Sequence, residues 1–141
     1  MTVAAGKTLA FERIGNCFLY MSSKRAPSDA DWAQYIDWLK TILRPGMTIT
    51  CVVYERGAGP NAAQRKLLND VTAPVNLKVA VITPSTLARG AVTAMSWFKP
   101  GYKAFTPDET DAAVDFLELK GQDAQQVKIA IKRLLVFSDS T

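Results

Sequence analysis

The residues best suited to chemistry lie in a glycine-containing loop and in the helix predicted to follow it. Gly57 and Gly59 allow the backbone to approach a ligand closely. Asn61 is placed to cap a helix whose free amides attract an anion, and Arg65 adds a positive charge one turn further along. This spacing indicates a candidate site for an anion, such as the phosphate of a nucleotide-like ligand.

A second predicted helix start offers matching groups, with Ser85 and Thr86 as caps and Arg89 one turn into the helix. Ligands of open α/β sheets bind beyond the carboxyl ends of the parallel strands, where the two helix starts are expected to meet. However, GAGPNAAQRK matches neither GxGxxG nor the phosphate-binding loop GxxxxGK followed by Ser or Thr. The favoured interpretation is that the glycines shape a tight turn and that Asn61, Ser85 and Thr106 are plain helix caps.

Few groups are suited to catalysis. Acidic residues occur in pairs at Asp29 and Asp31 and at Asp108 and Glu109. Each pair begins a predicted helix, where carboxylates stabilise the positive end of the helix, so capping explains them. A nucleophilic Ser85 would need a base, and because the chain has no histidine only a lysine could serve. An enzyme is therefore disfavoured, and a serine and lysine hydrolase is a remote alternative.

Composition narrows the classes of function further. The 141 residues carry a net charge of +4, and the basic residues are scattered along the chain, which disfavours nucleic-acid binding. The absence of histidine and the presence of two cysteines, Cys17 and Cys51, disfavour a structural zinc site. Both cysteines fall in predicted strands and are expected to be small buried hydrophobes rather than a disulfide. We expect no cofactor and no metal.

The chain is expected to form one domain over residues 1–141, with residues 1–7 and 138–141 frayed. No apolar run approaches the roughly 20 residues that a membrane helix needs. The N-terminus has neither the basic start nor the apolar middle of a signal peptide. These features predict a cytoplasmic protein without a transmembrane segment.

Residues 77–98 indicate how the candidate groups are positioned. Residues 78–83 are a short apolar run with β-branched side chains, which is typical of a strand covered on both faces. After Pro84, apolar residues recur at helical spacing as far as Phe98. A buried strand that leads into an amphipathic helix is half of a βαβ unit.

The rest of the chain can be arranged around this unit. Residues 8–22 predict an antiparallel hairpin with Gly15-Asn16 as a two-residue type II′ turn. Further strands are predicted at residues 47–54 and 102–105. Helices are predicted from Ser28 to before Arg44, from about Asn61 to Val71, from Thr106 to before Gly121, and from Gln122 to Phe137. The fold class is therefore α/β, with a mixed sheet whose N-terminal antiparallel hairpin is followed by alternating helices and parallel strands.

Two helices carry apolar stripes that decide what they face. The aromatic stripe of the first helix, which includes Trp32, Tyr35 and Trp38, is expected to be core, with an exposed interaction surface as the alternative. The second helix is expected to face inward through five apolar residues, which are Ala62, Ala63, Leu67, Leu68 and Val71.

With these elements in order, the chain resembles bacterial STAS-like proteins, the group around the anti-sigma-factor antagonists. The segments that carry the resemblance are VVYERGAGPNAAQRK, VAVITPSTLARGAVTAMSWF and YKAFTPDETDAAVDFLEL, together with the opening hairpin. The similarity spans about Leu9 to Leu119 and consists of patterns of residue class. It implies a mixed sheet with helices and a role in binding a partner rather than in turning over a substrate.

The chain departs from the antagonists at one important position. Those proteins carry a phosphorylatable serine at the start of the helix after the central strand, whereas this chain has no Ser or Thr between Glu55 and Asp70. Control of a sigma factor by phosphorylation at that place is therefore not carried over. Some STAS-like proteins also resemble lipid-transfer domains of the CRAL-TRIO type in shape, which raises an apolar ligand as an alternative.

The leading hypothesis is a non-enzymatic STAS-like regulatory module that binds a protein partner. Its expected contact surface is the seven residues of the two helix starts, which are Gly57, Gly59, Asn61, Arg65, Ser85, Thr86 and Arg89. The alternative is a small-molecule binder, with a nucleotide-like anion at the helix starts or a lipid in an apolar pocket. A homodimer is compatible with either hypothesis.

Overall fold

The computed structural model describes residues 4–5, 8–57, 59–96 and 101–139, with side chains from residue 8 to residue 136 of these ranges. Their strands form one mixed sheet. The strands are β1 (Ala4–Ala5), β2 (Leu9–Ile14), β3 (Cys17–Ser22), β4 (Thr48–Tyr54), β5 (Asn76–Ile82) and β6 (Tyr102–Phe105). The helices are α1 (Asp29–Ile42), α2 (Ala62–Thr72), α3 (Thr86–Ser96), α4 (Thr110–Phe116) and α5 (Asp123–Asp139).

The strands lie side by side in the order of the sequence. β1, β2 and β3 pair antiparallel, while β3, β4, β5 and β6 pair parallel. A parallel neighbour requires a crossover, and α1, α2 and α3 supply the three crossovers. The predicted α/β class, with its antiparallel hairpin and its alternation of helices and parallel strands, is confirmed.

Two apolar layers cover the two faces of the sheet. On one face, α1 packs over residues of β2, β3 and β4, with Trp32, Tyr35 and Leu39 buried. On the other face, α4 and α5 pack over the same strands and over β5 and β6, with Val127, Ile131 and others buried. The prediction that the aromatic stripe of α1 is core is confirmed.

Local signals explain the hairpin and the start of α1. Gly15 has φ +55°, as the first central position of a type II′ turn requires. The Ser28 side chain accepts a hydrogen bond from the amide of Asp31 at 3.1 Å, which is the predicted cap. The carboxylate of Asp31 also accepts from the amide of Thr8 at 2.8 Å, which ties the helix start to the beginning of β2.

Four residues of the end segments that the sequence predicts to be frayed lie in regular elements, namely residues 4–5 and 138–139. Ala4–Ala5 pairs with β2 as a short edge strand, because the outer edge of β2 offers free backbone groups. The last helix continues past Phe137 to Asp139, since no glycine or proline stops it. Residues 1–3, 6–7 and 140–141 lie outside the described residues.

The inward face of α2 differs from the prediction. Ala62, Ala63 and Leu67 are exposed, Leu67 with 47% of its surface, and the buried residue is the polar Gln64. Leu68 and Val71 are half-buried and pack against the α1 layer, as expected. The hydrogen bonds of Gln64 fix which face of the helix points inward. The side-chain amide of Gln64 donates to the carbonyl of Pro27 at 3.0 Å.

The apolar stripe of α3 is not buried, although its spacing is helical as predicted. None of its residues is buried, and Leu87 is 86% exposed. The helix contacts the edge strand β6, so it has a neighbour on the sheet without being enclosed. Trp97 and Phe98, which the sequence adds to this stripe, lie outside the described residues.

The predicted helix after Thr106 begins as a 3₁₀ turn over Pro107–Glu109 and becomes α4 at Thr110. It ends at Phe116, and Glu118 then adopts φ +53°, which reverses the chain before Gly121. Cys17 and Cys51 are free thiols on opposite faces, since Cys17 is buried under α5 and Cys51 packs against the α1 layer. Within the described ranges, no helix has the length and apolar character to cross a membrane.

Candidate functional site

The loop after β4 is shaped by contacts with the chain itself. The backbone at Gly57 lies against the backbone of Lys24, and a Cβ on Gly57 would clash with the Lys24 carbonyl oxygen. A Cβ on Gly59 would lie 3.3 Å from the carboxylate of Glu55. The close approach that Gly57 permits is therefore to the loop at Lys24 rather than to a ligand.

Asn61 is the N-cap of α2. Its side chain accepts a hydrogen bond from the amide of Gln64 at 2.8 Å, and the Gln64 side chain accepts from the amide of Asn61 at 3.0 Å. The side-chain amide of Gln64 also donates to the carboxylate of Asp29 at 3.0 Å. The backbone carbonyl of Gln64 accepts from the indole of Trp32 at 3.0 Å. The cap thus anchors the start of α2 to the start of α1.

The two arginines of the predicted site donate to carbonyl oxygens of their own segments. Arg65 is exposed and donates to the Pro60 carbonyl at 2.8 Å. Arg89 donates to the Thr83 carbonyl at 2.9 Å and to the hydroxyl of Thr86 at 3.2 Å. Each guanidinium therefore makes its hydrogen bonds at the start of its own helix. These contacts do not join the two helix starts.

Ser85 caps α3 by accepting a hydrogen bond from the amide of Ala88 at 3.1 Å. Its own amide donates to the hydroxyl of Thr83 at 3.3 Å. The backbone brings the loops together at one edge, since the amide of Glu55 donates to the Ile82 carbonyl and the amide of Thr83 to the Phe105 carbonyl. The carboxyl ends of β4, β5 and β6 thus meet as predicted, and the side chains there serve as helix caps.

The acidic residues after β6 belong to the same edge. The hydroxyl of Thr106 donates to Asp108, and its amide donates to Glu109 at 2.8 Å. These hydrogen bonds lower the pKa of both carboxyls, with a smaller contribution from the charge of Arg89. Both carboxylates are therefore held ionised at the start of the turn, which is the capping role expected of them.

Glu55 was not singled out by its type, yet its position is unusual. It is half-buried, and burial raises the pKa of its carboxyl. It forms no side-chain hydrogen bond or ion pair with any described residue. The sequence does predict the face of the sheet on which Glu55 lies. Side chains alternate along a strand, so β4 places Ile49, Cys51, Val53 and Glu55 on one face.

Tyr20 is the second residue that sequence reasoning missed. It lies in the middle of β3, is 4% exposed, and packs edge-on against Trp32 with ring centroids 5.9 Å apart. Burial raises the pKa of its phenol, and the charge of Glu55 adds to the effect. Its hydroxyl has no hydrogen-bond partner among the described residues. A tyrosine within an apolar strand gives no hint of this in the sequence.

Two depressions lie away from the predicted residues. A small, partly open cavity of about 90 Å³ lies between the sheet and helices α1 and α2, and Tyr20 is part of its wall. An open, polar depression of about 840 Å³ lies at the amino ends of β3 and β4, lined by Arg13, Asn16 and Asp123 among others. Arg13 is engaged there by the hairpin turn, since it donates to the Gly15 carbonyl at 2.7 Å.

The carboxyl edge of the sheet is thus a surface of capped helix starts. Among the described residues, no group of three or more side chains of the types that bind metals is placed to hold an ion. Comparison of the chain with protein-family models, with curated proteins and with solved structures finds no match.

Proposed function

We propose that the chain is a non-enzymatic STAS-like regulatory module that binds a protein partner through the start of α3 and the neighbouring loops. The observation that supports this most is the exposure of Leu87, which presents 86% of its surface although it lies on an amphipathic helix. A large apolar side chain on an ordered helix is a favourable anchor for a partner, since covering it removes apolar surface from water.

The polar residues beside Leu87 support a rigid contact surface. Ser85 caps α3, Thr86 is its first residue, and Arg89 is held by two hydrogen bonds to residues before it. A helix start whose side chains are already fixed loses little conformational entropy when a partner binds. The proposed surface therefore keeps Ser85, Thr86 and Arg89 from the sequence prediction and adds Leu87 as its apolar centre.

The geometry gives less support to the anion alternative. A phosphate held at two helix starts would draw on both arginines and on the free amides of α2 and α3. Arg65 and Arg89 instead donate to carbonyl oxygens of the chain, and Asn61 and Ser85 already accept from helix amides. An anion would have to compete with these contacts, so partner binding is preferred.

The test uses a photoactivatable side chain in place of one exposed apolar residue. p-Benzoylphenylalanine at Leu87 is expected to give a discrete covalent adduct in the native host. The same group at Val136, which is 70% exposed on α5, is the matched control and is expected to give none. The mass of the adduct distinguishes a second copy of this chain from another protein.

A charge substitution at the same position gives a second test. Leu87→Glu is expected to abolish the complex between this chain and its partner, whereas Val136→Glu is expected to preserve it. Equal crosslinking from both positions, or a complex that survives Leu87→Glu, would contradict the proposed surface.

A further inference from the structure

We propose that the partly open cavity between the sheet and helices α1 and α2 binds a small, uncharged, largely apolar molecule that carries one hydrogen-bond acceptor for the hydroxyl of Tyr20. This site lies beneath α1 and α2 and is separate from the surface proposed for a protein partner. Tyr20 contributes a polar side chain to the wall, the other wall residues are uncharged, and a neighbouring groove gives access from outside.

The polar group is the hydroxyl of Tyr20. The residue is 4% exposed, and no described residue accepts from or donates to its oxygen. Nearly all buried polar groups in folded proteins have a hydrogen-bond partner, because an unmade bond leaves the desolvation of the group uncompensated. The raised pKa keeps the phenol protonated at neutral pH, so the hydroxyl is available as a donor.

The remaining wall determines what the molecule can be. No charged side chain lines the cavity, so a charged ligand would lose its hydration without gaining an ion pair. The thiol of Cys51 is part of the wall, and burial raises its pKa, so it is uncharged as well. Most of the wall is aromatic or aliphatic, with Phe18, Tyr35, Ile49 and Leu68 among its residues.

The size of the cavity limits the ligand, and a neighbouring groove extends it. A volume of about 90 Å³ is smaller than the roughly 150 Å³ of an apolar cavity that accommodates benzene. However, Asn69, Thr72, Leu77 and Tyr102 line both this cavity and an open groove of about 670 Å³ between the end of α2 and the start of β6. A ligand can therefore enter through the groove and leave part of its body there.

The test compares two probes of nearly the same shape. Acetophenone carries a carbonyl acceptor, and α-methylstyrene carries a methylene group in its place. Their dissociation constants are measured by titration with NMR detection on the wild type and on Tyr20→Phe, which removes only the hydroxyl. The ratio of the two constants is compared between proteins, so that the different hydrophobicity of the probes cancels.

We expect both probes to shift the resonances of cavity residues in the wild type. The preference for acetophenone is expected to fall roughly 3- to 10-fold in Tyr20→Phe, which is the effect of one lost hydrogen bond. Cys51→Leu enlarges a side chain of the wall and is expected to weaken both probes at least 10-fold. Cys17→Ala, on the opposite face of the sheet, is the matched control and is expected to leave both constants unchanged.

Three results would overturn the proposal. The first is the absence of any shift at cavity residues with either probe. The second is a ratio of constants that is the same in wild type and Tyr20→Phe. The third is binding that responds equally to Cys51→Leu and Cys17→Ala, which would place the probes outside the cavity.

Discussion

Glu55 and Tyr20 show how single residues acquire properties that their types do not predict. Both point to the α1 side of the sheet, and the register places Tyr20 beside Val53, two positions before Glu55. A carboxyl in this position is partly removed from water without a described partner, and its charged form is penalised. The consequence is a measurable dependence of stability on pH.

We predict that Glu55→Gln relieves a destabilising charge. The pKa of Glu55 is raised in the fold above its ordinary value of 4.5, so between these two values the folded state binds more protons than the unfolded state. Stability contributed by this residue is therefore present at low pH and is lost as the pH rises through that interval. The wild type is expected to match Glu55→Gln below about pH 4 and to melt at a lower temperature than the variant at pH 7.

Melting temperatures of both proteins from about pH 3 to about pH 8 check this prediction. Asp108 and Glu109, whose pKa values are lowered, are present in both proteins, so their contributions cancel in the difference. A difference that stays constant across the range, or that changes in the opposite direction, would show that Glu55 is not penalised by burial.

At the scale of elements, the start of α2 shows how one cap can position two helices. Asn61 fixes Gln64, and Gln64 reaches Pro27 and Asp29 at the start of α1. The buried face of α2 is therefore set by a polar network as well as by its apolar residues. A defect in the cap is expected to affect the docking of the whole helix.

We predict that Asn61→Ala lowers the free energy of unfolding by about 1–2 kcal/mol, the upper part of the usual range for a lost N-cap, because the Gln64 network loses its anchor. Arg65→Ala, one turn away and exposed, is the matched control and is expected to change stability by less than about 0.5 kcal/mol. Urea denaturation measures both. Equal losses in the two variants would mean that the cap does not anchor the helix.

The sequence predicted most elements because their signals are local. Ser28 caps α1, Gly15 forms the hairpin turn, and alternating or continuous apolar runs mark the strands. The predicted inward face of α2 is wrong for Ala62, Ala63 and Leu67, and the apolar stripe of α3 is left unburied, since helical spacing shows that a helix has an apolar side but not whether another element covers it. Gln64 becomes buried only through contacts with residues 27 and 29, which no local pattern contains.

The candidate site was predictable in its location but not in its chemistry. Parallel strands bring their carboxyl ends together, so the meeting of the loops near residues 55, 83 and 106 follows from the order of elements. Whether Arg65 and Arg89 are free depends on carbonyl groups a few residues away, which are positioned only in the folded chain. Likewise, whether the hydroxyl of Tyr20 finds a hydrogen-bond partner depends on how the sheet, α1 and α2 pack together in the folded chain.

At the scale of the whole molecule, a single ion pair connects the two ends of the described chain. Arg133 of α5 donates to the carboxylate of Glu12 on β2 at 2.8 Å, across 121 residues. Glu12 is 1% exposed, while the side chain of Arg133 retains 46% of its surface. The second carboxylate oxygen of Glu12 is buried without a partner among the described residues, so Arg133 is the cation that faces this buried carboxylate.

We predict that Arg133→Ala lowers the free energy of unfolding by about 3 kcal/mol, since it leaves a buried carboxylate without its cation. Adding Glu12→Gln to this variant is expected to recover part of the loss, because the uncompensated charge is removed. Lys132→Ala is the matched control, as Lys132 is the exposed neighbour of Arg133. Denaturant titrations measure all three, and a loss no larger than that of Lys132→Ala would contradict the prediction.

The position of α5 also determines the order in which the protein can be completed during synthesis. The hairpin of β2 and β3 is made well before α5, since the helix that covers its apolar face begins about one hundred residues later. At about 5–20 residues per second, the ribosome needs roughly 5–20 s to cover that distance. During this time Ala10, Leu19 and Met21 have no cover from α5. The nascent chain therefore displays an apolar strand pair of the kind that chaperones bind, until its last helix emerges.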